Sequence, residues 1–98
     1  MKITLQQIME IKETKQTKTI MKEIKSDFIP RIGDNIYDWI YLHPKSKNEE
    51  YKVTDVTIDY SENQVIVYIE RMYIPDVETL ETIKKQIEYR KNDWKLYL

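Results

Sequence analysis

The stretch YKVTDVTIDYSENQVIVYIE, residues 51–70, decides the fold. It holds two β-rich runs joined by the polar turn Ser61-Glu62-Asn63. β-Branched and aromatic residues at this density favour a pleated, half-buried surface. The first run changes parity: Tyr51 and Val53 fall on one face, Val56, Ile58 and Tyr60 on the other. A β-bulge near Thr54-Asp55 restores the register and bends the sheet sharply, as small barrels need. The second run, Val65 to Ile69, is apolar on both faces, which predicts a central strand.

Upstream, Ile29-Pro30-Arg31-Ile32-Gly33-Asp34-Asn35-Ile36 contains the only glycine of the chain. Flanked by Pro30 and Asp34, it predicts a tight turn at a position that needs positive φ. Ile36 to Leu42 then reads as a strand dense in large side chains, and His43 to Glu50 as a polar loop. At the start of the chain Ile3, Leu5, Met9 and Ile11 follow a period of two, interrupted by Gln7, which predicts a strand. Leu5, Ile8 and Met9 also match a helical stripe, so a helix is the competing reading. Thr14-Lys15-Gln16-Thr17 would turn the chain and Thr19 to Ile24 return it, giving a hairpin whose outer lysines blunt an exposed edge.

Downstream, Pro75-Asp76 ends the sheet, with Asp76 as N-cap of a helix over 76–94. Its apolar stripe would be Val77, Leu80, Ile83, Ile87 and Trp94, covering one face of the sheet. The tail Trp94-Lys95-Leu96-Tyr97-Leu98 alternates and would dock on the core or pair with another copy. The expected architecture is therefore α+β: a strongly bent antiparallel β-sheet or small barrel of about five strands, capped by one C-terminal amphipathic helix. One domain fills residues 1–98, divided into an N-terminal hairpin (1–27), a sheet core (28–74) and the helix (76–94).

Composition excludes several functions. The formal charge of −1 argues against a non-specific DNA binder, whose affinity comes from neutralising phosphates. The charge is uneven, however. Lys2, Lys12, Lys15, Lys18, Lys22 and Lys25 outnumber Glu10, Glu13, Glu23 and Asp27, whereas Asp55, Asp59, Glu62 and Glu70 outnumber Lys52 and Arg71. With no cysteine, a disulfide framework, a zinc–thiolate site and a cysteine nucleophile are excluded. No stretch reaches the ~18 apolar residues of a membrane span, and the first residues lack the apolar core of a signal peptide. A cytoplasmic protein is expected.

The catalytic inventory is thin. His43 is the only histidine, so a His-rich metal site is impossible, and one glycine cannot build a phosphate cradle. Asp34, Asp55 and Asp59 could meet in a curled sheet and hold a divalent ion. The simpler reading places Asp34 in a turn, Asp55 in a bulge and Asp59 before a hairpin. A better candidate is aromatic: Tyr37, Trp39 and Tyr41 share one face of the 36–42 strand, with Arg31 and His43 near. Rings plus a cation suit stacking on a base or anchoring a partner. Ile36, Ile40 and Leu42 form the other face, and either face can be core.

The pattern Ile29-Pro30-Arg31-Ile32-Gly33-Asp34 followed by Tyr51-Lys52-Val53 and Val65-Ile66-Val67 resembles short SH3-like barrel proteins over residues 28–70. It also resembles small proteins of phages and mobile elements from Gram-positive bacteria, which the Lys, Ile, Asn and Tyr richness fits. That resemblance implies an accessory protein of the bacterial cytoplasm that blocks a host defence enzyme or sequesters its nucleotide signal, usually as a homo-oligomer. It carries over no catalytic residue.

The expected function is thus non-enzymatic capture of a host protein or a small anionic, nucleotide-like ligand, without cofactor, through Arg31, Tyr37, Trp39, Tyr41 and His43. The alternative is a nucleic-acid accessory domain tracking phosphates with Lys12, Lys15, Lys18, Lys22 and Lys25. A metal-dependent enzyme using Asp34, Asp55 or Asp59 comes last.

Overall fold

The structure, a computed structural model, describes residues 2–36, 51–90 and 94–97. Its elements are β1 (Lys2–Ile11), β2 (Thr17–Ile24), β3 (Asn35–Ile36), β4 (Tyr51–Asp59), β5 (Gln64–Ile74), α1 (Val77–Arg90) and β6 (Lys95–Tyr97). All six strands join one strongly curled sheet in the order β3-β4-β5-β1-β2-β6. This corrects the expected five antiparallel strands, because β1 pairs antiparallel to β2 along one edge and parallel to β5 along the other. The parallel pair arises because two hairpins meet at the middle of the sheet through their first and last strands. The N-terminal hairpin thus enters the middle of the sheet through β1, while the outer edge of β2 is covered by β6 only over Thr19 to Met21.

Period-two patterning sets the core. Register places side chains in rows across the face that α1 covers: Ile24, Ile3, Val65 and Ile58; then Lys22, Leu5, Val67 and Val56; then Ile20, Gln7, Ile69 and Val53. Met9 beside Met72 and Ile11 beside Ile74 continue the same surface. Ile3, Leu5, Gln7, Met9 and Ile11 are all buried, so the strand reading of the first segment holds and the helical one does not. Each fully buried aliphatic side chain here contributes about 1.5–3 kcal/mol before its entropy cost.

Two register shifts curl the sheet. On β4 the pairing steps from Val53 opposite Ile69 to Asp55 opposite Tyr68, so Thr54 is the extra residue. This is the bulge that the parity change predicts. Its Thr54 hydroxyl donates to the Tyr68 carbonyl at 3.2 Å, and the Asp55 carboxylate accepts from the Val56 amide at 2.9 Å. The second shift, between Gln7 and Met9, sets Glu70 and Arg71 against Ile8 alone. The expected central strand ends at Ile69 and does not include it, although the buried series Val65, Val67, Ile69, Met72, Ile74 changes parity there. The buried Gln7 amide donates to the Glu70 carbonyl at 2.8 Å, satisfying an acceptor that the bulge displaces from the ladder. Arg71 pairs with Glu10 at 2.6 Å beside it.

From β2 the chain must cross to β3, four strand spacings away or about 19 Å, and residues 25–34 can reach about 33 Å when extended. The crossing ends in the expected turn: the Asp34 amide donates to the Arg31 carbonyl at 2.9 Å, with Gly33 at φ 92° in the third position. Gly33 and Asp34 then bond to both backbone groups of Val53, at 2.8 Å each. The expected strand over 36–42 is described only at Ile36, and its remainder lies outside the described residues.

Asp76 caps α1 as expected, its carboxylate accepting from the Thr79 amide and hydroxyl, each at 2.8 Å. Leu80 and Ile83 are buried and Ile87 packs against them. The expected helix needs two corrections. Val77 is 43% exposed and does not join the buried stripe. The helix ends at Arg90, and Trp94 belongs to the connection that follows, where it is buried in the same core. The tail then pairs with this chain's own β2, Leu96 beside Ile20.

Two substitutions test these devices. Gln7→Leu strips the Glu70 carbonyl of its donor and lowers stability by about 1–3 kcal/mol in urea denaturation. Gly33→Ala meets no atom within 4 Å, so its cost is backbone strain alone, about 1–2 kcal/mol.

Candidate functional site

The face of the sheet opposite α1 carries the even-numbered residues of β1 and the odd-numbered ones of β2. Its rows run Glu23, Thr4, Ile66 and Thr57, then Met21, Gln6, Tyr68 and Asp55. β6 adds Lys95 beside Met21 and Tyr97 beside Thr19. Because β6 covers only Thr19 to Met21, the edge of β2 from Lys22 onward extends past it. The chain leaving β2 there folds locally, the Ser26 hydroxyl donating to the Phe28 carbonyl at 2.9 Å and accepting from the Phe28 amide at 3.1 Å.

These elements border an open cleft of about 750 Å³. Thr4 and Met21 line it from the sheet, Lys95 and Tyr97 from β6, and Lys25, Ser26 and Asp27 from the crossing segment. Lys2, Lys22, Glu23, Ile24 and Gln64 complete the wall. Lys2, Lys25 and Lys95 stand against Glu23 and Asp27, with Lys22 at the β2 edge, so the cleft is cationic in a chain of formal charge −1. Lys2 is engaged by Glu23 at 3.1 Å. Lys25 and Lys95 are exposed and have no carboxylate within ion-pair distance among the described residues. A volume of this size suits a whole small molecule, and lysine ammonium groups offer three rotatable donors each to an anion.

Of the residues singled out in the sequence, Arg31 is exposed in the Gly33 turn, its amide donating to Asp34 Oδ2 at 2.8 Å. Tyr37, Trp39, Tyr41 and His43 lie outside the described residues. The five hairpin lysines do not share one outer face. Lys12 and Lys15 lie in the turn between β1 and β2, and Lys15 adopts φ 63°. Lys18 and Lys22 stand in the rows of Met9 and Leu5, on the core side, where their stems cover apolar surface. Only Lys22 and Lys25 reach the cleft. Lys2, Lys95 and Tyr97 were missed: Lys2 is at the opposite end of the sequence from the other two, and only the pairing of β2 with both β1 and β6 brings them to one cleft. The alternating tail was the one legible signal.

The three aspartates take the simple turn and bulge roles. Asp34 accepts within its turn, Asp55 sits at the bulge, and Asp59 Oδ1 accepts from the Ser61 amide and hydroxyl and from the Glu62 amide. Those bonds, that from the Ser61 hydroxyl foremost, hold the Asp59 carboxyl below its ordinary pKa. Among the described residues no group of three His, Cys, Asp or Glu side chains is placed to hold a metal ion, and no helix is long and apolar enough to cross a membrane. No protein-family model, curated protein or solved structure matches this chain.

Asp59 has a lowered folded-state pKa, so its contribution to stability is complete above the ordinary carboxylate pKa and is lost as pH falls through the folded value. Asp59→Ala should therefore destabilise the protein in thermal melts at pH 7, and the difference from the parent should shrink as the pH is lowered through the acid range.

Proposed function

We propose that this protein is a non-enzymatic binding protein that captures a small anionic ligand in the cationic cleft. The carrying observation is the pair of exposed lysines, Lys25 and Lys95, on separate elements at one cleft with no carboxylate partner among the described residues. An ammonium group brought near others of like charge raises the local potential, which a multiply charged anion lowers. Thr4 and Ser26 add hydroxyl groups at the same wall. The finer proposal, drawn from the resemblance to small SH3-like and phage proteins, is sequestration of a nucleotide signal of bacterial host defence.

The division of the hairpin lysines between two ends weakens the nucleic-acid alternative, which needs a continuous basic track. Capture of a host protein is the second reading. It draws on Phe28, Ile29 and Ile32, which are 80, 43 and 67% exposed on the crossing segment. A cluster of this kind is a common mark of a partner surface.

Isothermal titration with tripolyphosphate tests the primary reading. Binding should weaken with added salt. Lys25→Ala and Lys95→Ala should each cost about tenfold in affinity, as expected for loss of a charge-assisted hydrogen bond, with melting temperature unchanged. No heat of binding with tripolyphosphate or a nucleoside triphosphate would remove the proposal.

A further inference from the structure

β6 is a three-residue strand with two distinct faces. Leu96 turns to the core beside Ile20, while Lys95 and Tyr97 fall on the opposite face. Residues two apart in a strand are separated by about 6.6 Å, so one short element presents a cation and an aromatic ring side by side at the same cleft. Tyr97 is 48% exposed, which leaves a ring face open to a ligand. Across β2, Met21 is the register partner of Lys95 and Thr19 of Tyr97, so an apolar thioether lies beside the cation and a small side chain beside the ring. Lys25 reaches the cleft from the crossing segment, giving the anionic part of a ligand a second cation on a separate element.

Resting on the anion-capture reading, we infer that the ligand of this cleft is a nucleotide: Lys95 and Lys25 hold its phosphates, and Tyr97 stacks on its base. A cleft that read anions alone would need lysines and hydroxyls. An exposed tyrosine ring one strand repeat from the cation adds recognition of a planar, uncharged group attached to the anion. Trp94, buried immediately before β6, fixes where that strand enters, so the two side chains are set by the core and not by a free tail. The Tyr97 ring also tolerates any base, because every base offers a π-face. The site is thereby suited to the nucleotide class without selecting one base through hydrogen bonds.

The experiment compares adenosine triphosphate with inorganic tripolyphosphate on the full chain by isothermal titration. The triphosphate group is shared, so the difference isolates the base and sugar. Adenosine triphosphate should bind on the order of tenfold tighter. Tyr97→Leu should remove that advantage and leave tripolyphosphate affinity unaltered, Tyr97→Phe should retain it, and Lys95→Ala should weaken both ligands alike. Circular dichroism of each variant checks that β6 still pairs. Equal affinity of the two ligands for the parent protein, or an advantage that survives Tyr97→Leu, would overturn the nucleotide assignment while leaving anion capture standing. Absence of binding by both would overturn anion capture itself.

Discussion

Hydrogen bonding along both edges of β1 is the constraint on which the rest of the structure depends. A strand paired on both sides exposes no backbone donors laterally, and its alternate side chains become the middle of every row in the core. Ile3, Leu5, Met9 and Ile11 occupy those middle positions, with Gln7 as the one polar member. Gln7 is tolerated because its amide meets the Glu70 carbonyl. The bulge at Glu70-Arg71 and the buried amide therefore explain each other: a displaced carbonyl needs a donor, and a buried donor needs an acceptor. Outward from this centre, β6 pairs with β2 at one side of the sheet and β3 with β4 at the other.

Local signals were legible wherever a residue type answers a local geometric demand. Gly33 at positive φ, Asp76 as cap, Asp59 at the hairpin and the Thr54-Asp55 bulge could all be read, because each rests on neighbours within a few positions. Central placement of Val65 to Ile69 was legible from apolar residues on both faces. What stayed hidden was long-range. The parallel partnership of β1 and β5 links residues some sixty positions apart, and no composition rule announces it. Trp94 fitted a helical stripe by arithmetic, but the helix ends at Arg90 and the indole reaches the core by another route.

The candidate cleft shows the same limit. Lys22 and Lys25 could be suspected from a basic segment, yet the hairpin as a whole is not a basic surface, because β pairing sends Lys18 and Lys22 to the side of the core. Lys2, Lys95 and Tyr97 join the cleft through topology alone. Its charge is consequently a property of the fold and is invisible in the near-neutral sum over the chain.

The parallel β1–β5 pair also shapes how the chain acquires its structure. β1 is made first, but the strand that closes its second edge emerges only after the crossing segment and β4. At about 5–20 residues per second, that edge stays open for several seconds of synthesis. Contacts this distant in sequence also slow the final closure relative to a hairpin, since loop entropy is lost before the pairing repays it. The nascent hairpin is thus an adhesive intermediate by design of the topology. The polar side chains of Gln6, Gln7 and Glu10 along β1 lower its tendency to pair with other chains during that interval.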